Sequence, residues 1–246
     1  MIDLTSSGAV AWLWLTRTDA LNALNRALTS AVEQALDRVA AMDDARVLVV
    51  AGRGRAFCAG NDIREMLALA PDEVQALATR QAALMERFAR LPQVTLAMID
   101  GYALGGGLML AVAQDLRIAS DRARFGLPEV TLGFNPGYGI ARLLDVVGGA
   151  HARDLMLTGR SVRSADALRM GLVNRVVAAP TLEASAAAWA AEIAQSPREG
   201  LAATKRIVTG LRAGDGGEPA AYAEILRTSQ AARDRIRAFA ERKRPR

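Results

Sequence analysis

The chain has 246 residues, 51 % of them apolar and 23 % charged, with a formal net charge of +5. These proportions exclude a disordered, collagenous or low-complexity chain, and the length suits one large domain or two small ones with a core that needs neither disulfide nor metal. The lone cysteine, Cys58, has no partner within the chain, which fits a reducing compartment.

Val10 to Leu15 is expected to form a short strand. Asn22 and Asn25 bracket a turn, and Leu28, Val32, Ala35, Leu36 and Val39 follow at helical spacing. Val47 to Ala51 is a continuous apolar run, the mark of a buried strand. Arg53 to Gly60 is a glycine-bearing loop. Asp62 is placed to cap a short helix through Ile63, Met66 and Leu67. Asp72 to Arg90 is a longer helix ended at Pro92. Val94 to Ile99 is a second buried strand, and Gly101 to Gly107 leads into an apolar helix from Leu108 to Ala113. Strands are expected at Leu116 to Ala119 and Ala123 to Phe125, then a glycine- and proline-rich loop from Gly126 to Tyr138. Helical patterns run from Gly139 to Val147 and from Ala150 to Leu157, and a last strand from Leu172 to Val177. From Thr181 onward the pattern is helical, with breaks at Pro197 and Gly214 to Gly217.

Strands and helices alternate over the first two thirds and helices finish the chain, which argues for an α/β core with a helical C-terminal region. No composition break marks a linker, and no fixed-period repeat marks a solenoid.

No apolar run approaches the roughly 18–20 residues of a membrane helix, and Met1 to Thr5 does not read as a signal peptide. The expectation is a cytoplasmic protein with no membrane partner. Residues 227–246 carry eight basic side chains against Asp234 and Glu241. The basicity is therefore local. It reads either as a solvated helix face and tail or as an anion-binding patch, and a nucleic-acid partner is not expected.

The single histidine, His151, follows Gly148-Gly149 at an apparent helix start, so a His/Cys metal cluster is impossible and no metal is expected. Neither a P-loop pattern nor a dinucleotide fingerprint occurs. Three segments remain. Arg53 to Asp62 and Gly101 to Met109 each run from a strand through a glycine loop into a helix. Each loop either presents a free backbone N–H to a developing oxyanion or merely makes a tight turn. In the third segment Glu129 stands among Leu127, Val130, Leu132 and Phe134. Buried, it would have a raised pKa and suit a general base; otherwise it points out of a loop.

Six ordered motifs carry a resemblance over the whole chain. They are Asn22-Ala23-Leu24-Asn25, Ala56-Phe57-Cys58-Ala59-Gly60-Asn61-Asp62, Gly101 to Gly107, Phe125-Gly126-Leu127-Pro128-Glu129, Pro136-Gly137, and Leu157-Thr158-Gly159-Arg160. Together they make the chain similar to the crotonase superfamily, the enoyl-CoA hydratases and isomerases. The resemblance implies an α/β spiral of ββα repeats over residues 1–190. It implies a helical trimerisation region over 191–246 within the same structural unit. The assembly implied is a homotrimer or a dimer of trimers. The implied substrate is an acyl-CoA thioester, with coenzyme A as part of the substrate and no separate cofactor.

Carried over motif by motif, the resemblance assigns the two oxyanion-holding N–H groups to Asn61 and Gly106 and the acid–base carboxylate to Glu129. It assigns CoA contacts to Arg55, Phe239 and Arg242, and Ala59, Asp62, Met109, Phe134 and Tyr138 are expected to help form the substrate pocket. Hydratases of the family use two glutamates, one of them three residues beyond the middle glycine, and here that position is Met109. One carboxylate suffices to move a proton from C2 to C4, so an enoyl-CoA isomerase is the leading expectation. A hydratase working with one glutamate, a thioesterase or a decarboxylase are the alternatives. A noncatalytic CoA- or RNA-binding member is the alternative outside enzymes.

Overall fold

The computed structural model describes residues 1–211, 228–232 and 234–236. The chain is built by repeating one unit: strand, strand, helix. The first is β1 (Ile2–Ser7), β2 (Val10–Leu15) and α1 (Arg26–Ala40). The second is β3 (Val47–Gly52), β4 (Ala56–Cys58), then α2 (Ile63–Leu67) and α3 (Pro71–Arg90). The third is β5 (Val94–Ile99), β6 (Tyr102–Leu104) and α4 (Gly106–Ala113). The fourth is β7 (Leu116–Ser120), β8 (Arg124–Gly126), a 3-10 turn at Pro128–Leu132 and α5 (Ile140–Thr158). β9 (Ser161–Arg163), α6 (Ser164–Arg169), β10 (Arg175–Val177), α7 (Leu182–Ile193) and α8 (Arg198–Leu211) follow.

Among the described residues the strands make two sheets, ordered β1-β2-β3-β5-β7-β10 and β4-β6-β8-β9. In each of the second to fourth units the first strand joins the larger sheet and the second joins the smaller. Successive units pair in parallel, with Val49 opposite Leu96 and Met98 opposite Ile118. The result is a spiral in which each turn stacks on the last. β1 pairs antiparallel with β2 at one edge of the larger sheet, and β9 antiparallel with β8 at one edge of the smaller.

The continuous apolar runs follow from burial on both faces of the larger sheet. In β3, Leu48 and Val50 face the main core with α1, α3 and α4, whereas Val47, Val49 and Ala51 face Leu182, Ala186 and Trp189 of α7. α8 is tied to the core by Lys205, which pairs with Asp115 at 2.7 Å and donates to the carbonyls of Phe88 and Gln93.

The structure departs from the sequence reading in the short strands. β4 and β6 lie inside the segments read as glycine loops, and β1, β9 and α6 had no expected counterpart. The last strand is confined to Arg175–Val177. Three-residue strands carry too few positions for alternation to register. The two helices expected on either side of Gly148 run as one element broken there, where φ is 73°. No helix among the described residues is long and apolar enough to cross a membrane.

Candidate active site

The loop after β4 is braced by the Asn22–Asn25 turn. Asn22 Nδ2 donates to the carbonyls of Arg53 and Ala56 at 3.0 and 2.8 Å. Leu24 N–H donates to Gly60 O at 2.7 Å, and Asp62 N–H to Leu24 O at 2.9 Å. The pairing of Leu24 with Asn61 is thus a parallel bridge made by the neighbours of Asn61. Strand geometry then turns the N–H of Asn61 itself to the opposite side, and it finds no acceptor among the described residues. Asp62 caps α2 by accepting from Arg64 and Glu65 N–H, and pairs with Arg17 at 2.7 Å. Burial pushes its pKa up, but the Arg17 guanidinium and the two N–H groups outweigh that and hold it below the ordinary value.

Gly106 opens α4, so its N–H is one of the first-turn donors with no intrahelical acceptor. The turn into α4 needs Gly105 at φ +52°, and a side chain there would meet Glu129 Oε1 at 2.8 Å. A Cβ on Gly107 would lie 2.0 Å from Cys58 O. The α4 start is therefore pressed against β4, and a Cβ on Gly60 would lie 3.4 Å from Gly106 N. Close glycine contacts bring the loop of Asn61 and the loop of Gly106 together.

Glu129 sits in the 3-10 turn and is 9 % exposed. Its Oε2 has no hydrogen-bond partner among the described residues. Burial raises its pKa above the ordinary carboxylate value, opposed only by its own backbone N–H. Tyr138 Oη donates to Asn61 Oδ1 at 2.7 Å. Its pKa is driven upward by burial first, with Cys58 and Glu129 adding to the rise and the Asn61 bond opposing it. Burial also pushes the Cys58 thiol up to about 12, so it remains an unreactive, packed thiol.

Asn61, Gly106, Met109, Glu129, Phe134 and Tyr138 line one cavity of about 280 Å³. Of the readings open for Glu129, the structure takes the buried one. Met109 is 2 % exposed and covers the cavity wall three residues beyond Gly106. Phe134, 39 % exposed, stands at the solvent side. Arg55, Ala59 and Asp62 are not in the lining; Arg55 is exposed on the β3–β4 loop. Phe239 and Arg242 lie outside the described residues.

Sequence reasoning missed the α3 wall of Val74, Leu77, Ala78 and Gln81. The signal was there for one of them. Gln81 interrupts the buried stripe of Leu77, Leu84, Met85 and Phe88 on that helix. Among the described residues no three His, Cys, Asp or Glu side chains are grouped to hold a metal ion.

The sequence profile of the family described as enoyl-CoA hydratase/isomerase matches residues 5–246. A probable enoyl-CoA hydratase of Mycobacterium avium is 36 % identical over 204 residues, 82 % of this chain and 79 % of that one. A probable enoyl-CoA hydratase of Rhizobium meliloti is 43 % identical over 190 residues, covering 77 % of this chain and 73 % of the relative. The crystal structure of an enoyl-CoA hydratase from Bacillus anthracis superposes with a TM-score of 0.92. It is 31 % identical and spans 100 % of this chain and 98 % of that one.

Proposed function

The chain belongs to the enoyl-CoA hydratase/isomerase family, and we propose that within it the protein is an enoyl-CoA isomerase working with one carboxylate. The observation that carries this reading is the composition of the cavity. Among the described residues Glu129 is the only charged side chain in the lining, and the thioether of Met109 occupies the wall where a hydratase's second glutamate is expected.

The substrate class is a 3-enoyl-CoA thioester. Its carbonyl oxygen accepts hydrogen bonds from the backbone N–H groups of Asn61 and Gly106. The Glu129 carboxylate removes a proton from C2. The electron pair moves onto the thioester oxygen, where the two preorganised donors stabilise the conjugated enolate. The protonated Glu129 then returns the proton at C4, and the double bond comes to rest between C2 and C3. Atoms balance without water or any cofactor beyond the coenzyme A of the substrate. A raised pKa makes Glu129 a better match for a weakly acidic carbon. The exposed guanidinium of Arg55 suits the phosphates of the CoA moiety, and a homotrimer or dimer of trimers is the assembly proposed with it.

A second reading, hydration by Glu129 alone, is favoured by the names of the Mycobacterium avium and Rhizobium meliloti relatives, both probable enoyl-CoA hydratases. The two are separated by incubating the protein with 3-enoyl-CoA and, separately, 2-enoyl-CoA, and reading products by mass and chromatography. The isomerase reading expects conversion of the first to an isomer of equal mass and little water addition to the second. Efficient formation of the hydroxyacyl product from 2-enoyl-CoA would replace it with the hydratase reading.

A further inference from the structure

Gln81 is fully buried, 0 % exposed, and lines the same cavity as Glu129 and Met109. Neither its Oε1 nor its Nε2 has a hydrogen-bond partner among the described residues. Other buried amides are treated differently. Asn22 places its Nδ2 on the carbonyl of Ala56 at 2.8 Å, Gln93 its Nε2 on Val39 O at 2.9 Å, and Gln114 its Nε2 on Leu110 O at 2.9 Å. Each leaves its carbonyl oxygen without a partner among the described residues but keeps its N–H donor occupied. Gln81 has neither atom occupied. A buried amide left unpaired costs the full desolvation of both polar atoms, a cost that a leucine here would avoid. The apolar stripe on either side of it shows that the helix position favours a hydrocarbon side chain for packing.

We propose that Gln81 is a specificity-determining residue, and that it hydrogen-bonds a hydroxyl carried on the acyl group beyond the reacting carbons. This rests on the acyl-CoA isomerase reading above and deepens it by naming the substrate class. A hydroxyl both donates and accepts, so one group answers Oε1 and Nε2 together. A carboxylate only accepts and brings a charge. Among the described residues the cavity lining holds no lysine or arginine to balance it, while Glu129 is already present. The wall around Gln81 is otherwise apolar, formed by Val74, Leu77, Ala78 and Met66. A plain hydrocarbon tail would fill that space and leave the amide unpaired. That is the arrangement by which a site rejects an analogue lacking the polar group.

The test compares two 3-enoyl-CoA thioesters of equal chain length, one with a hydroxyl at the distal carbon and one without. Wild type is expected to prefer the hydroxylated chain in kcat/KM by on the order of 10–100-fold, the range for leaving a buried neutral polar group unpaired. Gln81→Leu and the near-isosteric Gln81→Met are expected to lose that preference or invert it, chiefly through KM. A wild type that favours the plain chain overturns the proposal. So does an unchanged ratio in whichever variant folds, since the amide would then be answered by water. Should neither thioester turn over, the isomerase reading fails rather than this one. The dissociation constants of the two saturated acyl-CoA analogues, with and without the hydroxyl, then decide it in the same way: a preference for the hydroxylated analogue supports it and equal or reversed affinity overturns it.

Discussion

The Tyr138 hydroxyl donates to Asn61 Oδ1 at 2.7 Å, which fixes the side chain of Asn61 while its backbone N–H has no acceptor among the described residues. The two halves of Asn61 therefore have separable tasks. Its amide oxygen anchors Tyr138, and its N–H is the donor proposed for the thioester oxygen.

Asn61→Ala and Tyr138→Phe each remove the same partly buried hydrogen bond. Both are expected to lower stability by about 1–3 kcal/mol and to cost less than about tenfold in kcat/KM, well short of the loss of an oxyanion donor. Asn61→Pro removes the N–H as well and is expected to lose about 10²–10³ in kcat. Steady-state kinetics on variants whose folding is verified by circular dichroism make the comparison. Equal losses in Asn61→Ala and Asn61→Pro would place the function in the side chain.

Two adjacent glycines should fail in different ways. A Cβ at Gly106 would meet the Tyr138 hydroxyl at 2.4 Å and Asn61 Oδ1 at 2.7 Å, both ends of side chains. Gly106→Ala is expected to fold, displace that pair and lose activity. A Cβ at Gly107 would meet backbone, Cys58 O at 2.0 Å. Gly107→Ala is expected to destabilise by several kcal/mol, since neither β4 nor α4 can yield. Thermal melts of the two, set beside their kcat/KM values, separate the cases.

The pH dependence follows from the direction of the Glu129 shift. The free enzyme needs Glu129 ionised, so kcat/KM should fall on acidification around a pKa above the ordinary 4.5. Stability runs the other way. Below the unfolded pKa both states are protonated. As pH rises through the higher folded pKa, the native state gives up a proton it binds more tightly, and stability is lost. Glu129→Gln should therefore melt above wild type near neutral pH and lose that advantage below about pH 4. An acid limb at or below 4.5, or a lower melting temperature for the variant near neutrality, would contradict the burial argument.

Met109→Glu puts a second carboxylate on the cavity wall, three residues beyond Gly106. It should raise hydration of 2-enoyl-CoA relative to isomerisation, and each buried carboxylate should raise the pKa of the other. A Cβ at Gly139 would lie 2.9 Å from Met109 Sδ, so the new side chain enters a closely packed place, and some loss of stability accompanies the change. An unaltered ratio of hydration to isomerisation in a folded variant would leave Met109 without influence on the reaction.

Legibility tracked element length and burial. The six-residue strands β3 and β5 were visible as continuous apolar runs, and the helices α1 and α3 because a helical apolar pattern repeats often enough to register. β4, β6 and β9 were not, because three residues carry no period. At the site, Asn61, Gly106 and Glu129 were found through motifs that resemble a known family, and the structure brings them to one cavity with Tyr138 and Met109. The brace that leaves the Asn61 N–H on the side away from Leu24, through Leu24 and Asn22, depends on tertiary pairing that no local pattern announces. Gln81 was readable as a polar residue on an apolar stripe, yet only the unpaired amide in the cavity gives that position a meaning.

In the proposed reaction Glu129 alone moves the proton. The most direct measurement is the turnover of 3-enoyl-CoA to 2-enoyl-CoA by Glu129→Gln, with substrate affinity measured alongside. Glutamine keeps the shape and loses the base, so kcat should fall by about 10²–10⁴ while affinity stays near that of wild type. Undiminished isomerisation by the folded variant would contradict the account.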